Sequence, residues 1–172
     1  MLHHSHTRSC FTAFAKALQT FQQEQYSRKT SVRIVGVAEK EGEELEVTCI
    51  KLLKDEIDVD ITSQDIKIIN RTGRRREDRK PRAVLLKCLS HKIKSIIMMK
   101  KKTAQNIRIY EDLAFGIKRM LDEIIVNKKQ LNVESVWTID GKLKRKFIGD
   151  ERIYFINCHN DFVGLMNRLR HQ

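Results

Sequence analysis

The chain has 172 residues, with 34 lysines and arginines against 22 aspartates and glutamates, for a formal net charge of +12. With 41% hydrophobic residues it can build a core, so a disordered tail is excluded, and the length suits one good-sized domain or two small ones. The basic excess points to a polyanionic partner, while the lack of an apolar run near ~18 residues, of a signal peptide and of any CxxC spacing leads us to expect a soluble, intracellular protein in a reducing compartment, without membrane, zinc knuckle or disulfide framework.

Residues 1–27 form the first segment. His3, His4, His6 and Cys10 lack a second ligand pair to close a tetrahedral site, so no metal is expected. Phe11, Phe14, Leu18, Phe21 and Gln25 are spaced three, four, three, four. That is either a two-heptad coiled-coil remnant or a single amphipathic helix. Two heptads hold strands together weakly, so we expect a monomer or a weak homo-oligomer through this N-terminal helix.

Residues 28–112 carry six elements. Ser31 to Val37 is β-branched and reads as a strand; Leu45, Cys49, Leu52, Leu53 and Ile57 follow helical spacing. Ile66 to Ile69 and Ala83 to Leu89 are β-prone runs joined by a long connection, with Pro81 at a strand entrance. Ser90 is a candidate N-cap for a helix bearing Ile93, Ile96 and Ile97 and closing on Lys100, Lys101 and Lys102. Asn106 to Tyr110 alternates as a fourth strand. The order strand, helix, strand, strand, helix, strand is that of a ferredoxin-like, RRM-like βαββαβ sheet with both helices on one face, so the fold class is α+β.

The basic residues concentrate in this unit. The connection carries Arg71, Arg74, Arg75, Arg76, Arg79, Lys80 and Arg82 against Glu77 and Asp78. Glu39 to Asp60 holds nine acids and three bases, leaving 31 bases against 13 acids elsewhere, so the basic excess has a side. Strand parity predicts that Val32, Ile34, Ile66, Ile68, Val84, Leu86, Cys88, Ile107 and Ile109 face the helices. The opposite face would then present Arg33, Val35, Lys67, Ile69, Arg71, Leu85, Lys87, Arg108 and Tyr110, with a cation from every strand. Arg33, as a solvent-side residue, should contribute little to the core.

Residues 113–172 read as a small α+β domain. A stripe of Ile117, Met120, Leu121, Ile124, Ile125 and Leu131 predicts a helix over Phe115 to Leu131. Val133 to Thr138 and Lys142 to Ile148 flank Asp140-Gly141, a strong hairpin signal. Arg152 to Asn157 is a third strand, and Asp161 to Leu169 a closing helix capped by Asn160. Trp137 is either a stacking residue or part of this domain's core.

Four motifs in order carry a resemblance: Gln25 to Lys29 before Val32 to Val37, Pro81-Arg82 before Val84 to Lys87, Tyr110 to Leu113, and Val136 to Lys142. Together they resemble the RNA-binding region of the first-open-reading-frame proteins of LINE-type, non-LTR retrotransposons, over about Gln25 to Leu165. The resemblance implies an RRM-like domain after a coiled coil, then a C-terminal domain, and single-stranded RNA or DNA binding with nucleic-acid chaperoning in a ribonucleoprotein, cytoplasmic or nuclear. It places Arg33 and Arg82 at RNA-contacting positions. The chain departs from the family at Ile68 and Asn70 and in its short coil, which fits a truncated or degraded copy. It departs from ordinary RRMs in lacking aromatics at Arg33, Ala83 and Leu85, which favours phosphate contact over base readout. An enzyme is not expected: HExxH, a Gly-rich phosphate loop and GxSxG are all missing, and no cofactor is implied. The alternatives to RNA binding are a protein–protein adaptor on the same scaffold or an inactive remnant.

Overall fold

Among the described residues, short apolar or alternating runs form seven strands, and apolar stripes at helical spacing form the helices between them. The computed structural model describes residues 23–74, 80–156 and 159–167. Within them the chain is α+β, with two antiparallel sheets. It divides into two compact units, Arg28–Asp112 and a second that groups residues 23–27 with those from Leu113 onward. The predicted seam positions Phe11 to Phe21 lie outside the described residues. Gln25, the last of the seam positions, is buried, and its Oε1 accepts from the Ala114 N–H at 2.7 Å.

The first unit runs β1 (Ser31–Val35), α1 (Leu45–Ile57), β2 (Ile66–Arg71), β3 (Val84–Cys88), α2 (His91–Lys100) and β4 (Arg108–Glu111). The sheet order is β2-β3-β1-β4. Alternate residues of β1, β3 and β4 (Val32, Ile34, Val84, Leu86, Cys88 and Ile109) point to one face, where they pack with Cys49, Leu53 and Ile57 of α1 and Ile97 of α2 in a single core. Each predicted element is present with ends moved by a few residues. β1 stops at Val35 because Gly36 turns the chain at φ +97, and a Cβ there would meet the Asn106 carbonyl at 2.9 Å. Ser90 caps α2 as expected, its Oγ accepting from the Ile93 N–H at 3.3 Å. Burial pushes the Cys49 and Cys88 thiols up to about 11, so both are neutral at pH 7 and poor nucleophiles.

One core contact was not anticipated. β4 continues to Glu111, which pairs with Val32 and so faces inward. Its carboxylate accepts from Lys94 Nζ of α2 at 2.6 Å, and both side chains are 4% exposed. Two opposite charges in the core stabilise the fold less than packed apolar groups would, but either one left alone is costly.

The second unit comprises α3 (Phe115–Val126), β5 (Val133–Ile139), β6 (Lys142–Phe147), β7 (Ile153–Ile156) and α4 (His159–Met166), with sheet order β5-β6-β7. α3 ends at Val126 rather than Leu131, because the Asn127 side chain donates to the Glu123 carbonyl at 2.8 Å and turns the chain; Leu131 still reaches the core. Asp140 and Gly141 both have positive φ, 50 and 74, as a two-residue type I′ hairpin requires. α4 begins at His159, so Asn160 lies inside the helix rather than capping it. Its core joins Ile124, Leu131, Val133, Leu143, Ile156, Phe162 and Leu165.

The buried ion pair yields a direct test. Lys94→Ala leaves Glu111 buried without its ammonium and should lower unfolding free energy by about 3 kcal/mol. Replacing the pair together, Lys94→Met with Glu111→Leu, should recover most of the loss. Urea unfolding of the three proteins checks this; a double variant no better than Lys94→Ala would show that the pair is not what the fold requires.

Candidate functional site

The face of the first sheet turned away from α1 and α2 depends on how the strands register. β1 pairs Arg33 with Leu85 of β3 and with Tyr110 of β4, and Val35 with Arg108. Paired residues share a face, so these five side chains, with Lys87 opposite Ser31, stand on the open side as parity predicts. β2 departs from the prediction. A bulge between Ile66 and Ile68 shifts the register, so Ile68 pairs with Lys87, Ile69 with Leu86, Asn70 with Leu85 and Arg71 with Val84. An extra residue in one strand reverses the parity beyond it. Ile68 and Asn70 therefore take the open face, whereas Ile69 packs on the core and Arg71 turns to the helix side. Lys67 is the extra residue of the bulge and is exposed. The result is an in-register row, Asn70–Leu85–Arg33–Tyr110, flanked by Lys87 and Arg108. Tyr110 is 51% exposed and Ile68 48%.

Arg71 is fully engaged within the molecule. Its Nε and Nη2 donate to the two carboxylate oxygens of Glu43 at 2.8 and 2.7 Å, Nη1 to the carbonyls of Val37 and Arg82 at 2.8 Å each, and Nη2 to that of Ala38 at 2.6 Å. All five guanidinium N–H groups are spent and the side chain is 5% exposed, so no donor remains for a phosphate. Arg82 is held in the same manner by Glu39: Nη2 donates to Oε1 at 2.7 Å, Nε to Oε1 at 3.0 Å, and the backbone N–H to Oε2 at 3.0 Å. Hydrogen bonding to Arg82 brings the Glu39 carboxyl from 4.5 to about 2, and Arg71 likewise lowers Glu43. The acidic segment is thus in part a clamp on both ends of the basic connection. Of that connection, Arg74 and Lys80 are exposed, and Arg75, Arg76 and Arg79 lie outside the described residues.

Arg33 is positioned rather than loose. Its Nη2 donates to Asp112 Oδ1 at 3.0 Å and its Nη1 to Thr72 Oγ1 at 3.3 Å, while Arg28 takes the other Asp112 oxygen at 2.8 Å. Asp112 is 2% exposed, so Arg33 contributes to folding as well as to the face. Truncating it leaves a buried carboxylate one partner short and should cost about 1–2 kcal/mol, more than a solvent-side residue would.

At the β4 edge the surface dips into a depression of about 440 Å³ lined by Lys101, Lys102, Arg108 and Tyr110, among others. Burial pulls the Lys101 ammonium below its usual value. Arg108 is aimed by its own backbone, Nη1 donating to the Gln105 and Ile107 carbonyls at 3.1 and 3.0 Å. Lys101 and Lys102, which in the sequence stand only as helix-end charges, extend the cationic surface past the sheet. Among the described residues no group of three or more His, Cys, Asp or Glu could hold a metal ion, and no helix is long and apolar enough to cross a membrane. Trp137 stands on the face of β5 away from the second unit's core, opposite Lys144. No family model matches the chain, and no curated protein matches it significantly.

The lowered Glu39 value makes stability depend on pH in a known direction. Glu39 binds a proton more readily unfolded, near 4.5, than folded, near 2. Its stabilising effect is therefore complete above about pH 4.5 and is lost as pH falls toward 2. Glu39→Gln should flatten the fall in melting temperature over this window, and a parallel fall in parent and variant would show that the Arg82 contact carries no linkage.

Proposed function

We propose that the chain binds single-stranded nucleic acid, RNA in the first place, through the open face of its four-stranded sheet, without catalysis. The observation that carries the reading is the Asn70–Leu85–Arg33–Tyr110 row. It sets an anchored guanidinium beside an exposed aromatic, with Lys87 and Arg108 on the same face. Cations meet phosphates and the ring takes a base, a combination that tolerates any sequence. The strand order β2-β3-β1-β4 with both helices on one face supports a ferredoxin-like, RRM-like assignment. The four ordered motifs support descent from a LINE-type first-open-reading-frame protein and membership of a retrotransposon ribonucleoprotein, in the cytoplasm or nucleus.

Ile68, Leu85 and Val35 on the same face favour a second reading, a protein-binding adaptor. A salt-titrated binding assay with single-stranded RNA, single-stranded DNA and duplex separates the two. For RNA binding, log affinity falls with log salt at about −0.7 per phosphate neutralised, and Tyr110→Ala and Arg108→Ala weaken binding without loss of fold. Changing Arg74, Arg75 and Arg76 to Gln should flatten the slope by about two units, equally for unrelated sequences. Tyr110 and Arg108 variants that bind as the parent does would remove the sheet from the reading, and a chain that binds no single strand at all would leave the adaptor.

A further inference from the structure

The second unit, among the described residues, has a sheet face turned away from α3 and α4. Its helices pack against the side of Leu143, Val136 and Ile156. On the other side the register aligns Trp137 of β5, Lys144 of β6 and Phe155 of β7 in one row. Lys144 Nζ sits 4.9 Å from the Phe155 ring centroid, and Phe155 is 47% exposed. Lys142 stands one pair along the strand, opposite Ile139. Lys146 shares the face but is answered by Glu134 at 3.3 Å and Glu151 at 3.2 Å, so the charge offered outward rests on Lys142 and Lys144.

Two aromatics on either side of a lysine, on the face away from the described core, suit a polymer that carries flat bases and a regular negative charge. A buried purpose would place Trp137 with Val136 and Phe147 against the helices, and it does not pack there. A wholly apolar partner would find Lys144 in the middle of its contact, at a desolvation cost. Charge complementarity thus selects the occupant. We propose that this face is a second contact for single-stranded nucleic acid, in which Trp137 and Phe155 stack on bases while Lys142 and Lys144 meet phosphates. The proposal rests on the nucleic-acid reading above and assigns that function to a second surface.

Trp137 is the chain's single tryptophan, so its emission reports this face alone. The full chain is titrated with an end-labelled oligouridine, following label anisotropy for total binding and tryptophan emission for the second face. Expected is a rise in anisotropy with quenching of Trp137 in step. Lys144→Gln combined with Phe155→Leu should lower affinity about tenfold and remove most of the quenching. Circular dichroism melts verify that variant's fold, and Lys142→Gln, at an exposed position, provides a milder variant with the same direction of change. Anisotropy that rises while emission stays constant, with both variants binding as the parent does, overturns this inference and leaves the first sheet as the binding face. If neither signal moves, the nucleic-acid reading fails as a whole. Emission that changes with protein concentration alone, and no longer does so in the double variant, would make the face a contact between copies of this chain and overturn the proposal.

Discussion

Two neighbouring carboxylates at the end of β4 organise the first unit. Successive side chains of an extended strand point to opposite faces, so Glu111 and Asp112 look in opposite directions from adjacent positions. Glu111 enters the core and meets Lys94 of α2; Asp112 gathers Arg28 and Arg33 on the other side. The first pair ties a helix to the edge strand through charges that are costly to separate. The second sets the guanidinium of Arg33 in its place in the sheet row. The geometry of the helix layer and of the candidate binding face thus both lead back to one dipeptide.

The basic excess is not a simple reservoir for a ligand. Arg71 and Arg82, two of the most conspicuous cations in the connection, are neutralised within the molecule by Glu43 and Glu39. Buried or half-buried arginines of this kind use their planar fork to satisfy carbonyls and carboxylates at once, which a lysine could not do with the same geometry. The acidic segment and the basic connection are therefore joined by structure, and the cations at both ends of the connection serve the fold. The charge directed outward includes Arg74 and Lys80 on the connection and Lys87, Arg108, Lys101 and Lys102 on or beside the sheet.

Each of the two sheets carries the same device on the face away from its helices. Each holds an in-register row in which a cation adjoins an aromatic, Arg33 with Tyr110 in one and Lys144 with Phe155 in the other. In both, the cation is held: by Asp112 and Thr72 in the first, over the Phe155 ring in the second. A preset charge loses less side-chain freedom when it meets a partner than a loose lysine on a surface.

The sequence by itself determined the elements. Helical spacing located Leu45–Ile57, Ser90 marked the start of α2, and Asp140-Gly141 specified a two-residue turn, because each of these signals is local and acts through backbone preference or short-range periodicity. It also placed Arg33, Lys87, Arg108 and Tyr110 on the open face, since unbroken alternation carries orientation along a strand. A bulge defeats that logic. The adjacent apolar pair Ile68-Ile69 was its visible trace, yet which residue is extra depends on what β3 places opposite. The fate of Arg71 followed from the same reversal and from Glu43, which lies 28 residues earlier in the chain. The inward turn of Glu111 could be read from Ile107 and Ile109, but its partner Lys94 could not be told from a surface lysine on an amphipathic helix. Where two distant segments must meet before a charge finds its counter-charge, the pairing belongs to the tertiary structure, because no local pattern encodes the distance between them.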